Sequence, residues 1–341
     1  MDQIGIALIG AGFIADYHLG GLSGLPDVKT RVVASRRLEK AREVAHRFGV
    51  PDATDDMAGV MRRPDIHAVI ITTPDDTHEE IAVACLRAGK AVLLQKPMAT
   101  TSAAARRILD AALQTGCDLQ VSYMHRHFAE VEEAGRLLAE KAVGQPLTVR
   151  LRNATPGPDW SDWFFRPDAV SGGVVHQLGI HGIDLIGHLF GRIDTVSART
   201  ATLVGKRLLR DGRTVPVENA DTALALYTLD GGPLVHHEMS MVEPAGTDRF
   251  RMEIYGERAA IWLRTERGPL SVARKGEPGW ISLEVPGEPA GTRQHRRWIE
   301  GLAGRRPPDN TALDGLQGLL VAEAIMRSAA AGGAAFAVEP L

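Results

Sequence analysis

An apolar run, Ile4 to Ile9, passes directly into Gly10-Ala11-Gly12-Phe13-Ile14-Ala15, and few folds accept that order. The run has the length of a strand buried on both faces, and a helical pattern continues from Phe13 to about Ser23. In the turn between them the first glycine permits a sharp bend and the second lets a ligand approach the main chain. The small Ala15 lets helix and strand pack closely. A helix start also offers free N–H groups and the positive end of its dipole, which suits a pyrophosphate. The motif therefore predicts a dinucleotide site lined by Gly10, Gly12, Phe13 and Ile14.

Short apolar runs at Val32–Ala34, Ala68–Thr72, Ala91–Leu94 and Leu119–Ser122 alternate with helical stretches over 38–48, 80–88 and 103–114. Gly49, Gly89 and Gly116 stand just past those helices, where a left-handed cap favours glycine. Thr77 and Glu80 have capping-box spacing. Such alternation predicts right-handed βαβ units in a doubly wound parallel sheet. After residue 122 the pattern changes. A helix over 129–140 and a strand over 147–153 precede a Pro/Trp-rich loop, 155–167, and a helix near 177–189. Strand-like segments follow at 196–202, 222–229, 234–241, 250–255 and 259–263, separated by turns such as Asp230-Gly231-Gly232-Pro233. The fold class expected is α/β plus α+β: a Rossmann domain over 1–122, then a domain over 123–341 with a large, mainly antiparallel open sheet. The closing helix, 313–330, is free to pack near the first domain.

Two domains also suit a length of 341 residues. The formal charge of −3 gives no field toward nucleic acid or an anionic membrane. Arg293, Arg296, Arg297, Arg305 and Arg306 form the one dense basic cluster, which reads as a solvated helix face. Two cysteines without paired spacing, no secretory leader pattern and no long apolar segment point to the cytoplasm.

The end of the second strand narrows the cofactor. A carboxylate about 20 residues beyond the glycines usually holds the ribose hydroxyls of NAD. Here the sequence is Ser35-Arg36-Arg37, which offers a hydroxyl and two guanidinium groups to a 2′-phosphate. NADP(H) is therefore favoured, with NAD(H) the alternative.

Four local matches resemble the glucose–fructose oxidoreductase/inositol dehydrogenase/rhizopine-catabolism (Gfo/Idh/MocA) family. They are Ile6–Ala15 with His18, the turn Thr72-Thr73-Pro74-Asp75-Asp76-Thr77-His78, and Gln95-Lys96-Pro97. The fourth is Ser171-Gly172-Gly173 followed by Gln177, Gly179, His181 and Asp184. The resemblance implies NAD(P)-dependent hydride transfer, with Lys96 and His181 flanking the substrate carbon beside the nicotinamide. It adds Thr73, Pro74, His78 and Gln95 to the cofactor site and Gln177 to the catalytic set. Lys96 also follows a parallel strand at its carboxyl end, where open α/β sheets bind ligands. Gln177, His181, Asp184 and His188 form a stripe at helical spacing, which raises a metal site as an alternative; the resemblance implies no metal. Two positions depart from the family, since Gln95 and Gln177 replace carboxylates. Neutral amides favour the charged forms of Lys96 and His181 less, so both are expected to be less basic here.

The substrate expected is a sugar, a cyclitol or a related diol. His125 and Arg126 follow the last strand of the first domain, and Trp163 stands among Trp160, Phe164, Phe165 and Arg166. Ring faces beside polar groups suit polyhydroxylated molecules, and Asp184 joins these as a substrate candidate. Two other readings compete: a non-catalytic dinucleotide-binding regulator and cofactor-assisted glycoside cleavage. A half-covered sheet face predicts a homo-oligomer through the second domain.

Overall fold

The strand–helix alternation of the first third folds into a six-stranded parallel sheet in a computed structural model that describes residues 3–166, 172–246, 249–264, 270–285, 287–309 and 311–341. Its strands are β1 (Ile4–Ile9), β2 (Val28–Ala34), β3 (Asp52–Thr54), β4 (Ala68–Ile71), β5 (Ala91–Gln95) and β6 (Leu119–Ser122), in the order β3-β2-β1-β4-β5-β6. The helices between them are α1 (Ala15–Leu22), α2 (Leu38–Phe48), α3 (Met57–Arg62), α4 (His78–Arg87) and α5 (Ser102–Thr115). The order reverses between β1 and β4, and their carboxyl ends open the crevice in which such sheets bind ligands. Gly49 and Gly116 cap α2 and α5 in the left-handed conformation. The capping box at Thr77 does not form. Its hydroxyl donates to the Pro74 carbonyl at 2.7 Å, and a 3-10 turn over Asp75–Thr77 starts α4 instead.

The chain then continues through α6 (Ala129–Ala139), β7 (Pro146–Ala154), a π-helical turn (Val175–Gly179) and α7 (Ile180–Phe190). Next come β8 (Ile193–Ala201), β9 (Lys206–Leu208), β10 (Thr214–Pro216), β11 (Thr222–Leu229), β12 (Leu234–Ser240), β13 (Phe250–Gly256), β14 (Ala259–Arg264), β15 (Leu270–Arg274) and β16 (Ile281–Leu283). The helices α8 (Ala290–Leu302) and α9 (Thr311–Ala330) and the strand β17 (Phe336–Ala337) complete it. Nine of these strands form a second sheet in the order β16-β15-β14-β13-β7-β12-β11-β8-β17. Its pairs are antiparallel except β12 with β7. β7 thus inserts between β12 and β13, where the sequence pattern reads as an uninterrupted meander.

Two compact units result, one of residues 1–127 with 288–316 and one of 128–287 with 317–341. The division does not coincide with a boundary at 122/123. The turn after β6 stays with the first unit because Arg293 donates to the His127 carbonyl at 3.1 Å. In the first unit Trp298 and Ile299 of α8 enter the core formed by Ile6, Leu8, Leu19, Val33 and Val44. The solvated-face reading of the basic cluster therefore holds only in part. Arg293 is buried, and Arg296, Arg305 and Arg306 pair with Glu288, Asp27 and Asp309. A helix returning from a distant part of the chain needs an apolar face of its own, and local charge density does not reveal it. Among the described residues no helix is long and apolar enough to cross a membrane.

Candidate active site

In the first unit the glycine turn has the shape a pyrophosphate requires. Gly10 adopts φ +111°, and a Cβ there would lie 2.6 Å from Thr72. The Thr72 hydroxyl donates to the Gly10 carbonyl at 2.9 Å and its amide donates to Ile9 at 2.7 Å, so the end of β4 clamps the turn. A Cβ on Gly12 would meet nothing within 4 Å, which leaves the start of α1 open to a ligand. Ile14 precedes that helix, and Phe13 is 76% exposed. These residues fit a dinucleotide. At the end of β2, Arg36 and Arg37 are exposed, and among the described residues neither forms an ion pair; the Arg37 amide donates to the Ser35 hydroxyl at 3.3 Å.

The turns after β4 and β5 meet at His78. Its Nδ1 lies 2.9 Å from the Pro97 carbonyl oxygen and its Nε2 3.0 Å from that of Thr73, and the ring is 1% exposed. The Lys96–Pro97 bond is cis, and Lys96 is half-buried. Gln95 accepts the Lys96 amide through Oε1 at 3.2 Å, so this amide binds main chain where the family has a carboxylate. Burial lowers the pKa of His78, neighbouring carbonyls oppose that shift, and the Lys96 ammonium adds to it. Arg126 is engaged locally, its guanidinium 2.8 Å from Asp314 and over the Tyr123 ring; His125 is buried.

In the second unit the glycine-rich loop leads into the π-helical turn, a feature common at functional sites. Ser171 lies outside the described residues. Gly172 and Gly173 both have positive φ, and a Cβ on either would overlap a neighbour, the His176 ring or the Ala220 carbonyl. Gln177, His181 and Asp184 are buried, whereas His188, near the carboxyl end of α7, is exposed, so the stripe does not continue to His188. Burial pushes His176 down to about 4. Beneath α7, Tyr227 donates to His237 Nδ1 at 2.9 Å, and His237 Nε2 donates to Asn153 at 2.8 Å. Among the described residues no three His, Cys, Asp or Glu side chains gather as metal ligands.

Trp163 stacks on Phe164 at 4.0 Å between ring centroids, with Trp160 edge-on to the same ring. Phe165 instead fills a small core with Leu209, Val215 and Val217. Sequence reasoning missed Thr72 as the clamp on the glycine turn and Asn153 as a support of α7, while His237, which reads from the sequence as a surface or structural histidine, is buried there as a structural one. Thr72 carried a signal in its place within the Thr-Thr-Pro motif, whereas Asn153 carried none.

A family model described as the oxidoreductase family with an NAD-binding Rossmann fold matches residues 4–123, and that family's C-terminal domain matches 131–262. The chain belongs to the Gfo/Idh/MocA family of oxidoreductases. Among its relatives is a levoglucosan dehydrogenase of Pseudarthrobacter phenanthrenivorans, 28% identical over 295 residues, covering 78% of this chain and 75% of the relative. An inositol 2-dehydrogenase of Saccharopolyspora erythraea is 28% identical over 339 residues, covering 97% and 94%. A solved levoglucosan dehydrogenase in complex with NADH and L-sorbose shares the fold with a TM-score of 0.92 at 24% identity, covering 100% of both chains.

Proposed function

We propose that this protein is an NAD(P)-dependent dehydrogenase or reductase acting on a CH–OH or C=O carbon of a sugar, cyclitol or related diol. One observation carries the reading: Lys96 follows β5 at the carboxyl edge of the sheet whose β1–α1 turn is open at Gly12. The named activities of the relatives, on levoglucosan and inositol, support the substrate class.

The turn from Gly10 to Ile14 would hold the pyrophosphate, with Thr73 and Pro74 beside it. The nicotinamide, when bound, supplies the hydride chemistry. Lys96 donates a hydrogen bond that stabilises the developing alkoxide, His181 exchanges the hydroxyl proton, and Gln177 orients the imidazole or a neighbouring hydroxyl. His125, Arg126, Trp163 and Asp184 remain substrate candidates, with Arg126 the weakest because Asp314 already holds it. Exposed Arg36 and Arg37 beside Ser35 favour NADP(H). Two free thiols, Cys85 and Cys117, fit a cytoplasmic setting. Leu224, Leu226 and Leu234, 47–54% exposed on one sheet face, fit a homo-oligomer through that face.

Reduced-cofactor absorbance over a panel of levoglucosan, inositols and ketoses tests the reading. Turnover is expected, with Lys96→Met and His181→Ala lowering kcat by about 10²-fold or more while cofactor Kd is kept. The double variant R36A/R37A is expected to weaken NADPH by roughly tenfold or more and to spare NADH. No turnover across the panel, or unchanged turnover in both catalytic variants, removes the assignment. Equal losses for the two cofactors remove the NADP(H) preference.

A further inference from the structure

We infer that His78 is a positioning residue for Lys96: its Nδ1 holds the Pro97 carbonyl and so fixes the turn that carries the lysine. The inference rests on the role proposed above for Lys96 and goes beyond it, because it takes His78 out of the cofactor contacts. Both ring nitrogens are within 3.0 Å of main-chain carbonyls, Pro97 on one side and Thr73 on the other, and the ring is buried. Both nitrogens of the buried ring face main-chain carbonyls, so neither is presented to a bound dinucleotide.

The ring instead joins two turns at the carboxyl edge of the sheet. Thr73 follows Thr72, the residue just past β4 that clamps the glycine turn, and Pro97 follows Lys96 itself. Lys96 is thereby held at two points, its amide by Gln95 at 3.2 Å and the next carbonyl by His78 at 2.9 Å. A neutral imidazole has one N–H and satisfies one carbonyl; a doubly protonated ring satisfies both. The Lys96 ammonium and burial both oppose the second proton. The neutral ring therefore donates to one of the two carbonyls, and the inference places its N–H on Nδ1, toward Pro97.

Which nitrogen does the holding can be tested, because Asn places an amide N–H₂ near Nδ1 of histidine and Gln places one near Nε2. His78→Asn is expected to keep kcat within about threefold, while His78→Gln and His78→Leu lose roughly tenfold or more, the scale on which small misplacements of a reacting group act. Kd for NADPH and NADH is expected to stay within about twofold in all three, the signature of a group that touches no cofactor. Cofactor binding also reports that each variant is folded, and if the Leu variant fails to fold, the contrast between Asn and Gln decides.

Equal kcat in Asn and Gln variants, or a loss confined to cofactor Kd, overturns the inference. Lys96→Met assayed alongside separates the two levels. An inactive Lys96→Met with fully active His78→Leu overturns only the positioning role. An active Lys96→Met overturns the parent reading and this one with it.

Discussion

At Gly182 the main chain of α7 comes so near the second sheet that a Cβ would overlap Asn153 and lie 2.7 Å from the His237 ring. That ring is fixed from both sides, accepting from Tyr227 and donating to Asn153, and burial keeps it neutral with its pKa down at about 3. It has nowhere to retreat. Gly182→Ala is expected to cost about 1–3 kcal/mol as an overpacking substitution and to lower the melting temperature accordingly. Because the neighbouring His181 rides on the same turn of helix, kcat is expected to fall with it. A calorimetric scan that leaves the variant at the wild-type midpoint would refute the close-packing argument. Nothing in the order Ile180-His181-Gly182-Ile183 announces this contact, since its partners come from β7 and β12. The glycines of the first turn were legible because the strand before them and the helix after them are local.

Helix α8 braces α1 through a buried polar layer. Tyr17 donates to Gln294 at 2.7 Å, and Gln294 donates to Ser122 at 3.0 Å. His295 Nδ1 donates to the Gly291 carbonyl at 2.6 Å, so its Nε2 accepts from His18 Nδ1 at 2.9 Å. Burial holds both imidazoles neutral, His295 down to about 4 from an ordinary 6.5 and His18 well below it. The unfolded chain takes up protons first as pH falls, so each such group withdraws stability below pH 6.5. The slope is about 1.4 kcal/mol per pH unit until the folded value is reached. Urea titrations of the wild type at pH 7 and pH 5 are expected to show this loss, and His295→Gln to show a shallower one. Parallel slopes would count against the neutral pair. At this scale the long periodic elements were legible, five of the six parallel strands and the main strands of the second sheet among them. The short ones were not: β3, β9, β10, β16 and β17 have two or three residues each, too few to show a period. The brace itself was hidden, because charges on α8 mask an apolar face that only its packing against α1, β1 and β2 makes visible.

At the scale of the whole molecule, one face of the nine-stranded sheet carries Leu224 and Leu226 on β11 and Leu234 on β12, all exposed. Register places Leu226 opposite His236 and Leu224 opposite Glu238, so apolar and polar residues interleave there. If this face joins subunits, the wild type sediments as an oligomer, and Leu224→Glu with Leu226→Lys shifts it toward monomer at equal concentration. A monomeric wild type, or a variant that sediments unchanged, would rule the face out. The first unit has a further property of its own. Trp298 and Ile299 complete a core begun by Ile6 and Leu8, yet a ribosome must add about 170 residues after the turn at His127 before it reaches them, on the order of ten to thirty seconds at ordinary elongation rates. Throughout that interval the nucleotide-binding half is a nascent chain with its closing piece missing. An amino-terminal fragment that stops at the turn after β6 lacks that piece and is expected to make a poor cassette for transplantation.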